Sequence, residues 1–169
     1  ITAMALQPDG KVLLGGFFTA VNGTARNRIV RLLPNGQVDL TFDPGSGANS
    51  SVRTISVLSD GRVFIGGNFT DYAGTESQRM AILGGNGALL TAYPGTSGVS
   101  VVANTSVVDG QDRIWVGGEF SGRVRRLLAD GSPDPGFSSS ITLQPLDMVL
   151  LPDNKLLVGG KYLGGVGPR

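Results

Sequence analysis

Gly61-Arg62-Val63-Phe64-Ile65-Gly66-Gly67-Asn68-Phe69-Thr70 decides the fold, because the chain repeats it. Counterparts occupy residues 10–19 (GKVLLGGFFT), 112–121 (DRIWVGGEFS) and 154–163 (NKLLVGGKYL). Each leaves a turn, carries β-prone apolar residues into a Gly-Gly pair and places an aromatic ring two residues beyond it. The pairs begin at Gly15, Gly66, Gly117 and Gly159, so the spacings are 51, 51 and 42. A period near 50 residues marks a solenoid, a propeller or an array.

Outward from the Gly-Gly strand, each copy is preceded by an apolar-rich segment at residues 1–6, 52–58, 99–108 and 141–151. Asp-Gly or Asp-Asn joins the two runs, a hairpin signal. The third copy holds two extra residues in that turn. Downstream come a polar loop and a third β-prone run at residues 28–36, 79–87 and 123–131, each ending in Asn-Gly or Asp-Gly. An aromatic follows six residues later, at Phe42, Tyr93 and Phe137. No segment shows a 3.6-residue apolar period.

Four short antiparallel strands per repeat predict an all-β β-propeller of four-stranded antiparallel blades. A parallel β-helix uses shorter coils and needs no second hairpin. The expected single partial domain spans residues 1–169, with blade 1 at about 1–43, blade 2 at about 51–94, blade 3 at about 99–138 and half blade 4 at about 141–163. Propellers hold about 4–8 blades, so some three and a half blades predict a fragment of a larger propeller. Both ends carry the same inner strand pair, so simple symmetric closure by two chains is not expected. The start at Ile1 without an initiator Met, and the stop at Arg169 where a third strand should begin, suit an excised or partial piece.

Composition narrows the function. The 169 residues hold 14 basic and 13 acidic side chains, which argues against nucleic acid or an anionic membrane as partner. No apolar run approaches the roughly 20 residues that span a bilayer, so membrane insertion is not expected. With no Cys and no His, the chain lacks thiol nucleophiles, disulfides and the commonest general base. Gly is the outlier at 27 residues, about twice the usual ~7%, and falls in turn-type pairs.

Four patterns together carry a family resemblance: Gln7–Gly16 with Phe18-Thr19, Val21-Asn22-Gly23-Thr24, Asn27–Leu32, and Asn35–Gly47. They closely resemble the bacterial delta-60 β-propeller repeat, over nearly the whole chain and most strongly in the first copy. The third copy lacks the Asn-Gly-Thr loop, and Gly84-Gly85 departs from the pattern in the second. The resemblance implies a large secreted or surface-attached bacterial protein with an adhesive or binding role. It implies no catalytic residues.

Candidate chemistry is sparse. Asp9, Asp60, Asp109, Asp130 and Asp153 sit in hairpin turns, where Asp bonds its own backbone, and no segment has a calcium-loop pattern. Gly-Gly-x-aromatic lacks the helix and the Lys-Ser/Thr of a phosphate cradle. Gly15, Gly16, Gly66, Gly67, Gly117, Gly118, Gly159 and Gly160 are read as close-packing positions. Phe18, Phe69, Phe120 and Tyr162 are expected in the core. Arg28, Arg79 and Arg123 are expected to cap carbonyls or pair with acidic neighbours, rather than to form an anion-binding ring. The position between Gly-Gly and the aromatic varies, as Phe17, Asn68, Glu119 and Lys161. With loops 20–27 and 71–78 these four form the candidate ligand-binding face, since repeat arrays place specificity on varying exposed positions. Glycosylation-type triplets at Asn22, Asn49, Asn68 and Asn104 are expected by chance in so Asn/Ser/Thr-rich a bacterial-looking chain, and carry information only in a eukaryotic source.

The expected function is a non-catalytic binding, adhesion or structural module of an extracellular or cell-surface protein. It needs no cofactor or metal, and its partners are a protein or glycan and further blades of the same longer chain or assembly. An alternative is a polysaccharide-acting hydrolase or lyase, which needs two carboxylates, or a metal set, converging from different blades. Glu119 stands as the sole acidic residue on an expected inner strand, which disfavours it. A third reading is attachment in a virion or extracellular filament.

Overall fold

In the computed structural model the structure describes residues 1–94, 102–121 and 123–162. The expected start of blade 3 near residue 99 and the end of half blade 4 at residue 163 lie outside these. The first repeat forms β1 (Ala3–Leu6), β2 (Val12–Gly15), β3 (Ala20–Val21), β4 (Thr24–Ala25) and β5 (Ile29–Leu32). The second forms β6 (Val52–Val57), β7 (Val63–Gly67), β8 (Asp71–Tyr72), β9 (Thr75–Glu76), β10 (Met80–Leu83) and β11 (Leu89–Ala92). The third forms β12 (Ala103–Val108), β13 (Ile114–Gly118) and β14 (Val124–Leu127), and the last β15 (Leu143–Leu150) and β16 (Leu156–Tyr162).

Every pairing is antiparallel, and the main sheets run β1-β2-β5, β6-β7-β10-β11, β12-β13-β14 and β15-β16. Innermost strands β1, β6, β12 and β15 are successive neighbours, so the sheets radiate from a common axis. The polar loops after the first two Gly-Gly strands hold an unanticipated small hairpin, β3-β4 in blade 1 and β8-β9 in blade 2.

Among the described residues, only blade 2 has the expected regular fourth strand. In blades 1 and 3 that strand shrinks to single bridges, Leu32 to Val38 and Leu127 to Pro133. The cause lies three residues past the outer-turn glycine, where the chain places Asp39, Leu90 and Asp134. Asp39 accepts the Thr41 N–H at 2.9 Å and Asp134 the Gly136 N–H at 2.8 Å, turns that bend the chain out of the ladder. Each carboxylate also holds an arginine of the third strand, Arg31 at 2.9 Å and Arg126 at 2.7 Å. Blade 2 has buried Ile82 and exposed Leu90 at these positions, and there β11 continues the sheet.

The core lies between the sheets. Leu13 and Ile29 of blade 1 meet Val63, Ile65, Ala81 and Leu83 of blade 2. Phe64, Met80 and Ile82 on the other face of blade 2 meet Ile114 and Val116. Trp115 and Val124 meet Met148, Leu156 and Val158. A strand that alternates between two seams must be apolar on both faces, as Val63–Ile65 is.

Blade 3 lacks the β8-β9 hairpin, and with it a counterpart of Tyr72. Tyr72 is fully buried and its hydroxyl donates to the Gly87 carbonyl at 2.8 Å. At the next seam Tyr93 donates to the equivalent carbonyl, Gly131, at 3.0 Å. Blade 2 therefore supplies from its end what blade 3 lost from its loop, and burial pushes both phenols up. Tyr72→Phe is expected to strand that carbonyl and cost roughly 1–3 kcal/mol, read as a lower urea midpoint. An unchanged midpoint refutes the role given to the hydroxyl.

Candidate functional site

Inner strands β6, β12 and β15 share one irregularity. Register shifts between Val52 and Thr54, between Ala103 and Thr105, and between Pro145 and Asp147. The extra residues are Arg53, Asn104 and Leu146, and a bulge of this kind re-aims its side chain. In blade 1 the matching position is Thr2, since all four stand 13 residues before their Gly-Gly pair. Thr2, Arg53, Asn104 and Leu146 line an open groove of about 450 Å³ on the axis, with Thr54 and Asp147 beside them.

The groove is cross-linked from blade to blade. Arg53 Nη1 donates to Asn104 Oδ1 at 2.8 Å, and Asn104 Nδ2 donates to the Pro145 carbonyl at 3.2 Å. Beneath, Ser106 Oγ lies 2.8 Å from Thr54 Oγ1 and 2.7 Å from Ser56 Oγ, so the buried hydroxyls satisfy one another. Further along the axis the lining turns apolar, with Ala5, Leu6, Val57 and Val149. The axis is thus polar where the Gly-Gly strands end and apolar at its other end.

The four varying residues expected to bind ligand lie at the polar end, outside this ring. Asn68 and Glu119 donate their backbone N–H groups to the Ser51 and Val102 carbonyls at 2.9 and 3.1 Å, just upstream of β6 and β12. Glu119 Oε1 accepts from Gln144 Nε2 at 2.7 Å, a contact across the blade 3–blade 4 seam. Phe17 and Lys161 are exposed. The inner-strand carboxylate is Asp147 on β15, so Glu119, just past β13, is not the sole acidic residue near the axis. Variation among blades, the signal that picked out Phe17, Asn68, Glu119 and Lys161, also marks Thr2, Arg53, Asn104 and Leu146. Their axial placement was not legible, because a bulge leaves no spacing signature of its own.

The remaining candidates have structural surroundings. Asp9, Asp60, Asp109, Asp130 and Asp153 each accept the N–H two residues on, at Lys11, Arg62, Gln111, Ser132 and Lys155. Asp109 is buried and also holds Arg113 and the Trp115 indole N–H. Burial opposes its charge, but those hydrogen bonds outweigh it and hold the carboxyl below the usual carboxylate range. Arg28 and Arg79 donate through Nη1 to the Phe17 and Asn68 carbonyls. Their backbones, with that of Arg123, are left-handed at φ 67°, 68° and 59°. Their own N–H groups hold them there through the Phe18, Phe69 and Phe120 carbonyls. Phe69 and Phe120 are buried and Phe18 is half-buried, but Tyr162, expected in the core, is 53% exposed. Arg125 of the third strand lies over the Phe120 ring, whereas the matching strand of blade 4 falls beyond the described residues. Among the described residues, no three acidic side chains gather as a metal site would require.

Solved structures share this architecture. Virginiamycin B lyase from Staphylococcus aureus superposes with a TM-score of 0.62 at 16% identity, over 94% of this chain and 48% of the lyase. An extracellular domain from B. thetaiotaomicron matches with a TM-score of 0.58 at 16% identity, over 96% of this chain and 20% of that one. A gluconolactonase from Xanthomonas campestris matches with a TM-score of 0.51 at 15% identity, over 94% of this chain and 53% of that one. This chain thus spans about half the length of the lyase and the gluconolactonase, or less of the extracellular domain. No curated protein sequence matches it. The expectation that the chain is no enzyme does not stand, because this propeller fold carries a lyase and a gluconolactonase. The family described as a β-propeller domain of unknown function (DUF5122) matches residues 7–42, 58–89 and 101–137, and the chain belongs to it.

Proposed function

We propose that the array is the ligand-binding part of an extracellular or cell-surface bacterial protein, and that it takes a glycan at the polar mouth of its axis. The ring of bulge residues carries this reading. Arg53, Asn104, Asp147 and Thr2 bring donors and acceptors to one open groove, and Leu146 adds an apolar contact. Planar polar groups of this kind hydrogen-bond adjacent sugar hydroxyls in pairs. The delta-60 resemblance and the likeness to an extracellular domain support the location and an adhesive role.

A second reading is favoured by Asp147, a carboxylate exposed at the mouth of a fold that also carries a lyase. It makes the array part of a polysaccharide-acting hydrolase or lyase. A glycan array probed with the full chain tests both. Sugar binding weakened about 10- to 100-fold by Arg53→Ala or Asn104→Ala is expected, the loss of one charged or well-buried hydrogen bond. Cleavage of the bound polymer, followed by mass spectrometry and abolished by Asp147→Asn, favours the enzyme. Absence of sugar binding at millimolar concentration overturns the glycan reading.

A further inference from the structure

Among the described residues, no regular strand fills the fourth place of blade 3. In blade 2 that place belongs to β11, where Ala92 pairs with Ala81 and Thr91 with Ile82. In blade 3 the chain follows β14 only as far as the Leu127–Pro133 bridge and then turns at Asp134. A cavity of about 360 Å³ lies along the edge so left open. All four residues of β14 line it, together with Met80 and Tyr93 of blade 2 and with Asp134, Phe137 and Ser138 of the departing segment. Its volume is in the range of ligand pockets, roughly 300–1,000 Å³. The site is at the outer rim of the blade, since β12 is the inner strand of the β12-β13-β14 sheet, and is separate from the axial groove.

The edge of β14 is buried and short of partners. Successive residues of a paired strand send their N–H and C=O groups to opposite sides. The Arg123 carbonyl accepts from Gly118 on the β13 side. The Arg126 carbonyl accepts from Asp134 and the Leu128 N–H donates to Ser132, both on the outer side. By the same alternation Val124 points outward. Among the described residues neither its N–H nor its C=O has a partner, nor has the Arg126 N–H. Yet Val124 is only 3% exposed. In blade 2 the matching carbonyl, that of Met80, accepts from Ser77 Oγ at 2.6 Å, and the Tyr93 N–H donates to Ser77 Oγ at 3.0 Å. Buried backbone groups are nearly always paired, so Val124 marks a place where a strand fits. The lining also brings two arginines, Arg125 and Arg126, against one carboxylate, Asp134.

We propose that an extended, acidic peptide segment of a partner protein completes blade 3 as its fourth strand, pairing with β14 at Val124 and Arg126. A strand added to an open edge takes affinity from main-chain hydrogen bonds and specificity from pockets for alternate side chains. Arg125 and Ala81 hold the same place in their strands, so in the register of β11 the residue matching Ala92 lies opposite Arg125. An acidic side chain at that place answers the arginine. Apolar side chains on the added strand meet Tyr93 and Leu127 on one face and Phe137 on the other.

The sequence of β11 supplies the probe. Two labelled peptides, residues 88–93 (ALLTAY) and the same peptide with Ala92→Glu, are titrated into the full chain and followed by fluorescence anisotropy and backbone NMR. The Ala92→Glu peptide is expected to bind about 10-fold tighter, the effect of one charge-assisted hydrogen bond. The amide signals of Val124 and Arg126 should shift and gain protection from exchange. Arg125→Glu in the protein should invert the preference between the peptides. Ser138→Trp, at an exposed position of the lining, should block both while leaving the circular dichroism unchanged. The proposal is overturned if neither peptide binds at millimolar concentration, if Ser138→Trp makes no difference, or if a sugar moves those amides and the peptides do not. Slow exchange of the Val124 N–H in the protein alone also overturns it, since the edge is then already paired.

Discussion

Gly66→Val is expected to destabilise the protein by about 3 kcal/mol, the upper part of the range for methyl groups forced into a packed interior. The new Cβ would lie 2.7 Å from Ala103 Cβ and 2.9 Å from Thr54 Cγ2. Ala103 cannot rotate away because its Cβ is fixed by the backbone, and valine adds two further carbons at the same point. Relief requires parting blades 2 and 3, which opens the cluster of Phe64, Ile114 and Val116. For a domain of this size each kcal/mol moves Tm by roughly 2–4 °C, so a fall of about 6–12 °C is expected by calorimetry. Gly67→Ala should be comparably severe, since its Cβ meets the Ser51 carbonyl oxygen, a backbone atom of the same sheet. An unchanged Tm in Gly66→Val defeats the account of the Gly-Gly pair as a packing device.

Asp39→Leu is expected to cost roughly 3–5 kcal/mol, as removal of one partner from a buried ion pair does. The side chains of Arg31 and Asp39 are only 8% and 4% exposed. Arg31 also lies over Phe42, gives Nη2 to Thr41 and reaches the Gly85 carbonyl of the next blade. With Asp39 gone, a desolvated guanidinium keeps only neutral partners. Blade 2 shows the alternative, since it holds Ile82 and Leu90 at these two positions. The double change Arg31→Ile with Asp39→Leu should therefore recover most of the loss, a coupling readable from urea midpoints of the four proteins. A double variant no better than the single one contradicts this exchange.

The same pair sets a pH dependence. Burial alone pushes the Asp39 carboxyl up, but hydrogen bonds from Thr41 and Arg31 outweigh it and hold it below its ordinary 3.8. The folded state then binds fewer protons than the unfolded chain near that pH. The stabilisation is fully present above the unfolded value and is lost as pH falls from about 4 through the lowered folded value. Wild type should lose stability below about pH 4 more steeply than the double variant. Parallel curves for the two proteins refute the assignment.

Much of the fold was legible because a repeat states its pattern several times. Two β-prone runs around Asp-Gly, a Gly-Gly pair, a polar loop and a third run recur with little change, and each maps onto strands that pair as expected. Less was legible where blades differ. The fourth strand of blades 1 and 3 yields to Asp39 and Asp134, whose turn chemistry competes with the ladder. Tyr93 takes up the hydrogen bond left by the missing hairpin of blade 3, an exchange between segments far apart in sequence.

The sequence by itself determined that the chain is a repeat of antiparallel β-blades, because local propensity, turn residues and a two-faced apolar pattern agree from repeat to repeat. It also marked the Gly-Gly pair as a place of close approach. Only the tertiary structure decided what approaches: the inner strand of the following blade at the first glycine, and for most pairs a carbonyl of the same sheet at the second. It alone turned Thr2, Arg53, Asn104 and Leu146 toward one axis. These residues stand some 50 positions apart, and their common distance from the Gly-Gly pair does not by itself say which way they face. A bulge arises from the register between two strands, and register is set when strands pair and blades pack.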